Sequence, residues 1–165
     1  MNYLILALSA LVPMALGFVW YGPLFGKAWI KETGLSEDEL KANFNPIKVF
    51  GLALLFSFMI AFMMEPLVIH QYSLFQLTMH FKNDPATKAT LAELMTRYGN
   101  EFRTFHHGAL HGALSGLFLI FPVLSINALF ERKSWKYIFI NSGFWIISFA
   151  LMGGIICQFI KFDGF

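Results

Sequence analysis

FHHGALHGALSGLFLIFPVLSINALF, from Phe105 to Phe130, contains no Asp, Glu, Lys or Arg. A helix needs ~20 mostly apolar residues to cross the ~30 Å of hydrocarbon in a bilayer. This stretch exceeds that length and is too apolar for a surface helix of a soluble domain. Its small residues are ordered as well. Gly108, Gly112 and Gly116 recur every four positions and so share one helical face, which lets a second backbone approach closely. His107 and His111 have the same spacing on the adjacent face, and Ser115 continues it. The reading is a membrane-spanning helix with a packing face and a polar face.

Working outward, three more stretches have the required length: residues 3–25, 47–72 and 137–160. The first and last carry no charged side chain, and the second is interrupted by Glu65 and His70. The first stretch lacks the basic start and short apolar core of a signal peptide, so it reads as a permanent span. Composition agrees. The chain is 57% hydrophobic and 13% charged, against about 25% charged in soluble domains. A net charge of +2 gives no case for nucleic acid, and the single cysteine, Cys157, excludes a disulfide scaffold. The fold class expected is all-α, a polytopic membrane protein of four transmembrane helices in one domain over residues 1–165. The lipid bilayer is its first partner.

The connections are punctuated. Gly34 can stop a helix, and Ser36 with Glu39 has capping-box spacing for a short surface helix to about Asn43. Asn45-Pro46 starts the second span, and Asp84-Pro85 repeats the device ahead of a surface helix that sets Leu91, Leu94, Met95 and Tyr98 on one side. Residues 73–104 form an amphipathic connection in which residues 75–81 read equally as a short strand or as continued helix. The connection from Glu131 to Lys136 is so short that the third and fourth spans must be antiparallel neighbours.

Four spans place both termini on one side. The other side holds Lys27, Lys31, Lys41, Lys48, Arg132, Lys133 and Lys136, against Lys82, Lys88, Arg97, Arg103 and Lys161 on the terminal side. The positive-inside rule assigns the richer side to the cytoplasm and the termini to its exterior. Trp20, Tyr21, Trp29, Trp135 and Tyr137 fall at the richer face, where they read as an aromatic belt.

Two further motifs stand out. Trp20-Tyr21-Gly22-Pro23-Leu24-Phe25-Gly26-Lys27-Ala28-Trp29 closes the first span. Leu129-Phe130-Glu131-Arg132-Lys133-Ser134-Trp135 precedes the last, followed by Ile140-Asn141-Ser142-Gly143-Phe144-Trp145 and Leu151-Met152-Gly153-Gly154. Together they resemble a family of small bacterial membrane proteins grouped as a domain of unknown function, with a W-Y-x-P-x-x-G-x-x-W-type motif and an L-F-E-x-x-x-W/L stretch. The motif positions here are Trp20, Tyr21, Pro23, Gly26, Trp29 and Glu131. The resemblance covers most of the chain and is weakest from Tyr72 to Arg103. It implies about four spans and a multi-pass protein of the bacterial inner membrane, and it carries over no catalytic residue. The residues themselves read as an interfacial turn: Pro23 ends or kinks the helix, glycines permit a tight exit, and the aromatics anchor it.

Ionisable groups at membrane depth are costly and mark function or pairing. Counting inward at ~1.5 Å per residue, Glu65 and His111 both lie about 10 Å deep, and His70 and His107 both lie near the terminal surface. Antiparallel second and third spans would match Glu65 with His111 and His70 with His107. Three readings are open for this cluster: side chains that satisfy one another and fix helix register, a proton or ion pathway, and a metal site in which His107 and His111 give nitrogens and Glu65 an oxygen. Nucleophilic catalysis has little support, since Cys157 has no base nearby and Ser115 meets His111 only along one helix. The chain reads as no enzyme and calls for no cofactor. The leading function is a small transport or binding protein with a protonatable cluster of Glu65, His70, His107 and His111, working as a homo-oligomer. The second is an accessory subunit of a membrane complex that docks through Gly108, Gly112 and Gly116. A membrane-embedded metalloenzyme comes last. Pro13, Pro66 and Pro122 each interrupt a span and free a backbone carbonyl, and the Gly108 stripe points to the third span as the centre of packing.

Overall fold

The computed structural model describes residues 2–42 and 44–162. Four helices are long and apolar enough to cross a membrane: Tyr3–Leu24, Pro46–Val68, Phe105–Phe130 and Trp135–Phe159. No strand occurs among the described residues. Residues 75–81, open between strand and helix in the sequence, lie in the helix Gln71–Thr78 and a tight turn at Met79–Phe81.

The helices begin where short polar side chains replace the missing turn. Asn45 Oδ1 accepts from the Lys48 amide at 3.0 Å, Asp84 Oδ2 from the Thr87 amide at 2.8 Å, and Thr104 Oγ1 from the His107 amide at 3.2 Å. Each satisfies a donor that has no partner inside its helix. Ser36 and Glu39 form the expected reciprocal pair ahead of Glu37–Lys41. Asn43, where that helix was expected to end, lies outside the described residues.

Prolines locate the irregularities. The first span breaks between Ala10 and Val12, next to Pro13. Around Pro23 it widens into a π-type turn, Trp20–Leu24, in which the Phe25 amide reaches back to the Trp20 carbonyl at 2.8 Å. The third span widens the same way over Gly116–Ile120, just before Pro122. A wider turn absorbs a residue that lacks an amide donor.

The fourth span, not the third, is the hub. Half of its most apolar window, 50%, is buried, against 22%, 17% and 17% for the first, second and third. The glycine stripe of the third span serves one partner, whereas the fourth offers small residues on several sides. A Cβ on Gly143 would lie 3.3 Å from Trp20 Cζ2 of the first span. One on Gly153 would lie 3.2 Å from Met64 Cε and Val68 Cγ1 of the second. Leu6, Ala61, Met64, Val68, Phe149, Met152 and Ile156 close the core between these helices.

Candidate functional site

The second span stops at Val68. Ile69 is extended (φ −117°, ψ 103°), although its amide still closes the last turn onto the Glu65 carbonyl at 3.0 Å. His70 returns to helical geometry and leads into the helix Gln71–Thr78. The bend therefore sets His70 beyond the end of the second span, outside the helix that carries Glu65. Gln71 fixes it: its Nε2 donates to the carbonyls of Tyr98 at 2.8 Å and Glu101 at 2.9 Å, tying the bend to the end of the surface helix Pro85–Tyr98.

Three histidines converge there. The ligand nitrogens of His70, His107 and His111 all lie within 4.8 Å of one another. His70 Nε2 and His107 Nε2 are 2.8 Å apart, so with neutral rings one donates and the other accepts. Ring centroids are separated by 4.8 Å (His70–His107), 4.9 Å (His70–His111) and 4.5 Å (His107–His111). His107 and His111 come from successive turns of the third span and His70 from the bend, so the trio holds two segments together. His70 is exposed and the other two are half-buried.

Phe102 forms one wall. Its ring stacks on His107 (centroids 5.0 Å, planes 29° apart) and meets His70 edge-on at 5.8 Å. Its φ of 61° is left-handed, uncommon for so bulky a residue, and places the ring over the imidazoles. Nothing in the sequence singled it out.

Glu65 is placed elsewhere. Its side chain is 1% exposed, and Oε2 accepts a hydrogen bond from the Tyr72 hydroxyl, while Oε1 has no partner. The expected match with His111 is thus not made; Tyr72 takes that place, because the bend at Ile69 folds the following helix back over the end of the second span. The depth count assumed one helix running through Tyr72. The match of His70 with His107 is made directly.

Gly108, Gly112 and Gly116 face the fourth span. A Cβ on Gly108 would collide with the Gly153 carbonyl oxygen, one on Gly112 with the Phe149 carbonyl oxygen, and one on Gly116 would sit 2.7 Å from Ile146 Cα. The stripe is therefore occupied within the chain and does not offer the docking face expected of an accessory subunit. At the opposite ends of the spans, the motif residues Trp20 and Tyr21 meet the second motif. Trp20 Nε1 donates to the Ile140 carbonyl at 3.0 Å and the Tyr21 hydroxyl to Asn141 Oδ1 at 2.9 Å. Trp29 packs edge-on to Tyr21 at 5.4 Å. A Cβ on Gly26 would stand 2.6 Å from the Tyr21 carbonyl oxygen, which keeps that turn tight. Glu131 is exposed, at the C-terminal end of the third span.

A family model described as "Protein of unknown function (DUF1761)" matches residues 4–157. No curated protein matches the chain, and no solved structure does. The match spans nearly all of the chain, including both aromatic motifs and all three clustered histidines, and the chain belongs to this family.

Proposed function

We propose that this family member is a membrane-embedded metal-binding protein that takes a late first-row divalent ion, with Zn2+ as the reference case, through His70, His107 and His111. The observation that carries the proposal is the convergence of three imidazoles from two segments, with ligand atoms within 4.8 Å of one another. Imidazole nitrogen suits zinc, copper and nickel, whereas calcium and magnesium favour oxygen. Tetrahedral coordination at ~2.0–2.1 Å places ligand nitrogens about 3.3 Å apart. One nitrogen pair stands at 2.8 Å and all lie within 4.8 Å, a range that contains that spacing.

Three protein ligands leave one position open. Closed four-ligand sites are structural, while open ones exchange water or substrate. An open site at this end of the spans suits capture and transfer of an ion, a binding or transport-type role. Seven basic residues on the opposite side against five on this one support a location on the non-cytoplasmic face of the bacterial inner membrane, by the positive-inside rule. Histidine must be neutral to ligate, so ion affinity falls as pH drops and the imidazoles take up protons.

The test is equilibrium dialysis of the purified full chain against Zn2+, with inductively coupled plasma mass spectrometry. One ion per chain is expected, with affinity reduced at least ~100-fold in His107→Ala and His111→Ala. Unchanged stoichiometry and affinity in both variants would remove the site.

A further inference from the structure

We infer that a second site, separate from the histidines, binds a phosphate group at the membrane surface through Arg103 and Lys161. Arg103 lies two residues before the third span, and Lys161 two residues after the fourth. Between them opens a cavity of about 610 Å³, whose other polar lining comes from Thr96, Asn100 and Gln158, with Phe162 as an apolar wall. Both cations flank the same end of the third and fourth spans, just outside their apolar stretches.

The guanidinium is the reason to expect an anion. Arg103 Nε donates to the Cys157 carbonyl at 2.9 Å, and one Nη donates to the Ile160 carbonyl. These bonds cap the C-terminal end of the fourth span, where carbonyls lack helical partners and the helix dipole favours a cation. Capping explains two of the donor nitrogens and leaves the third. Nη1 is buried with no hydrogen-bond partner. Among the described residues no carboxylate pairs with Arg103, whose Cζ lies over the Phe162 ring, 5.1 Å from its centre. Burial pulls its pKa down from the ordinary arginine value, against a smaller opposing effect of Cys157. A buried donor left unsatisfied is costly, and a charged one more so. A phosphate oxygen supplies both the missing acceptor and the missing charge, and arginine's planar fork suits it. Lys161 is exposed at the same opening and adds the second cation.

Phosphate can arrive as a lipid headgroup or as a free ion, and one experiment separates them. The delipidated full chain in neutral detergent is titrated with phosphatidylglycerol by native mass spectrometry and, in a second arm, with inorganic phosphate by calorimetry. One saturable phosphatidylglycerol adduct is expected. It should weaken about fivefold in Lys161→Gln, from about 1 kcal/mol per surface cation, and about tenfold in Arg103→Lys. Zinc affinity should stay unchanged in Lys161→Gln. Binding of inorganic phosphate alone, with the same sensitivity to both variants, keeps the site and assigns the free ion. Should Arg103→Lys fail to fold, Lys161→Gln decides by itself. Absence of saturable binding in both arms, or wild-type affinity in Lys161→Gln, overturns the inference.

Discussion

Two faces of one helix, side by side between Phe105 and Gly116, behave in opposite ways. On the face of Gly108, Gly112 and Gly116, the fourth span comes so close that one added carbon would strike backbone. On the next face, the rings of His107 and His111 meet each other, His70 and, for His107, Phe102. The first face leaves no room for a ligand, so its sequence is explained by packing. The second spends costly polar groups where packing does not require them, and their nitrogens converge. At equal spacing along one helix, contact with backbone marks a residue that builds the fold, and convergence of donor atoms marks a residue available for chemistry.

The sharpest way to break this contrast is Gly112→Leu. In a membrane, helices associate by close packing rather than by the hydrophobic effect, so a side chain wedged against the Phe149 carbonyl parts the third and fourth spans. We expect loss of the folded species in size-exclusion chromatography, a cost of about 3 kcal/mol. A wild-type melting temperature in detergent would show that the seam is not packed as described.

His111→Ala probes the other face. It removes no backbone contact, so the melting temperature should stay within a few degrees of wild type, a change of about 1 kcal/mol. Collapse of that variant would make the histidines structural and erase the difference between the faces.

Glu65 tests whether the histidine face extends deeper. Tyr72 is its partner. A double-mutant cycle of Glu65→Gln and Tyr72→Phe should therefore show a coupling of about 1 kcal/mol in thermal stability. The cycle of Glu65→Gln with His111→Ala should be additive to within about 0.5 kcal/mol. Coupling in the second cycle and none in the first would return Glu65 to the histidine cluster.

The smallest effect belongs to the surface helix Pro85–Tyr98. The Thr87 hydroxyl and amide hold the Asp84 carboxyl below its ordinary value of 3.8. The cap is fully formed above that value and is lost as pH falls through the lowered one. Amide exchange at Thr87, divided by its intrinsic rate at each pH, should be flat from pH 7 to 5 and rise only in strong acid, and Asp84→Ala should show the acid level throughout. An early rise, between pH 7 and 5, would contradict this cap.

Much of this was legible in the residues. The four apolar runs and their punctuation, Ser36 with Glu39, Asn45-Pro46 and Asp84-Pro85, depend on local chemistry, and local chemistry is written in order along the chain. The spacing of Gly108, Gly112 and Gly116 predicted close approach but not which helix approached. The hub role of the fourth span was hidden, because its small residues are spread around the helix and make no stripe. The bend at Ile69 had no breaker of its own, so depth counting paired Glu65 with His111. Trp20 and Tyr21 read as interfacial anchors because their bonds to Ile140 and Asn141 are 120 residues away. Phe102 and the unused donor of Arg103 acquire meaning only from three-dimensional neighbours.

X-ray absorption at the zinc edge, on the purified chain loaded with one equivalent of Zn2+, tests the central claim most directly. The account predicts three imidazole nitrogens at ~2.0–2.1 Å and one light exchangeable ligand, with one imidazole fewer in His70→Ala. A sulfur or carboxylate-dominated shell, or a spectrum unchanged by His70→Ala, would contradict it.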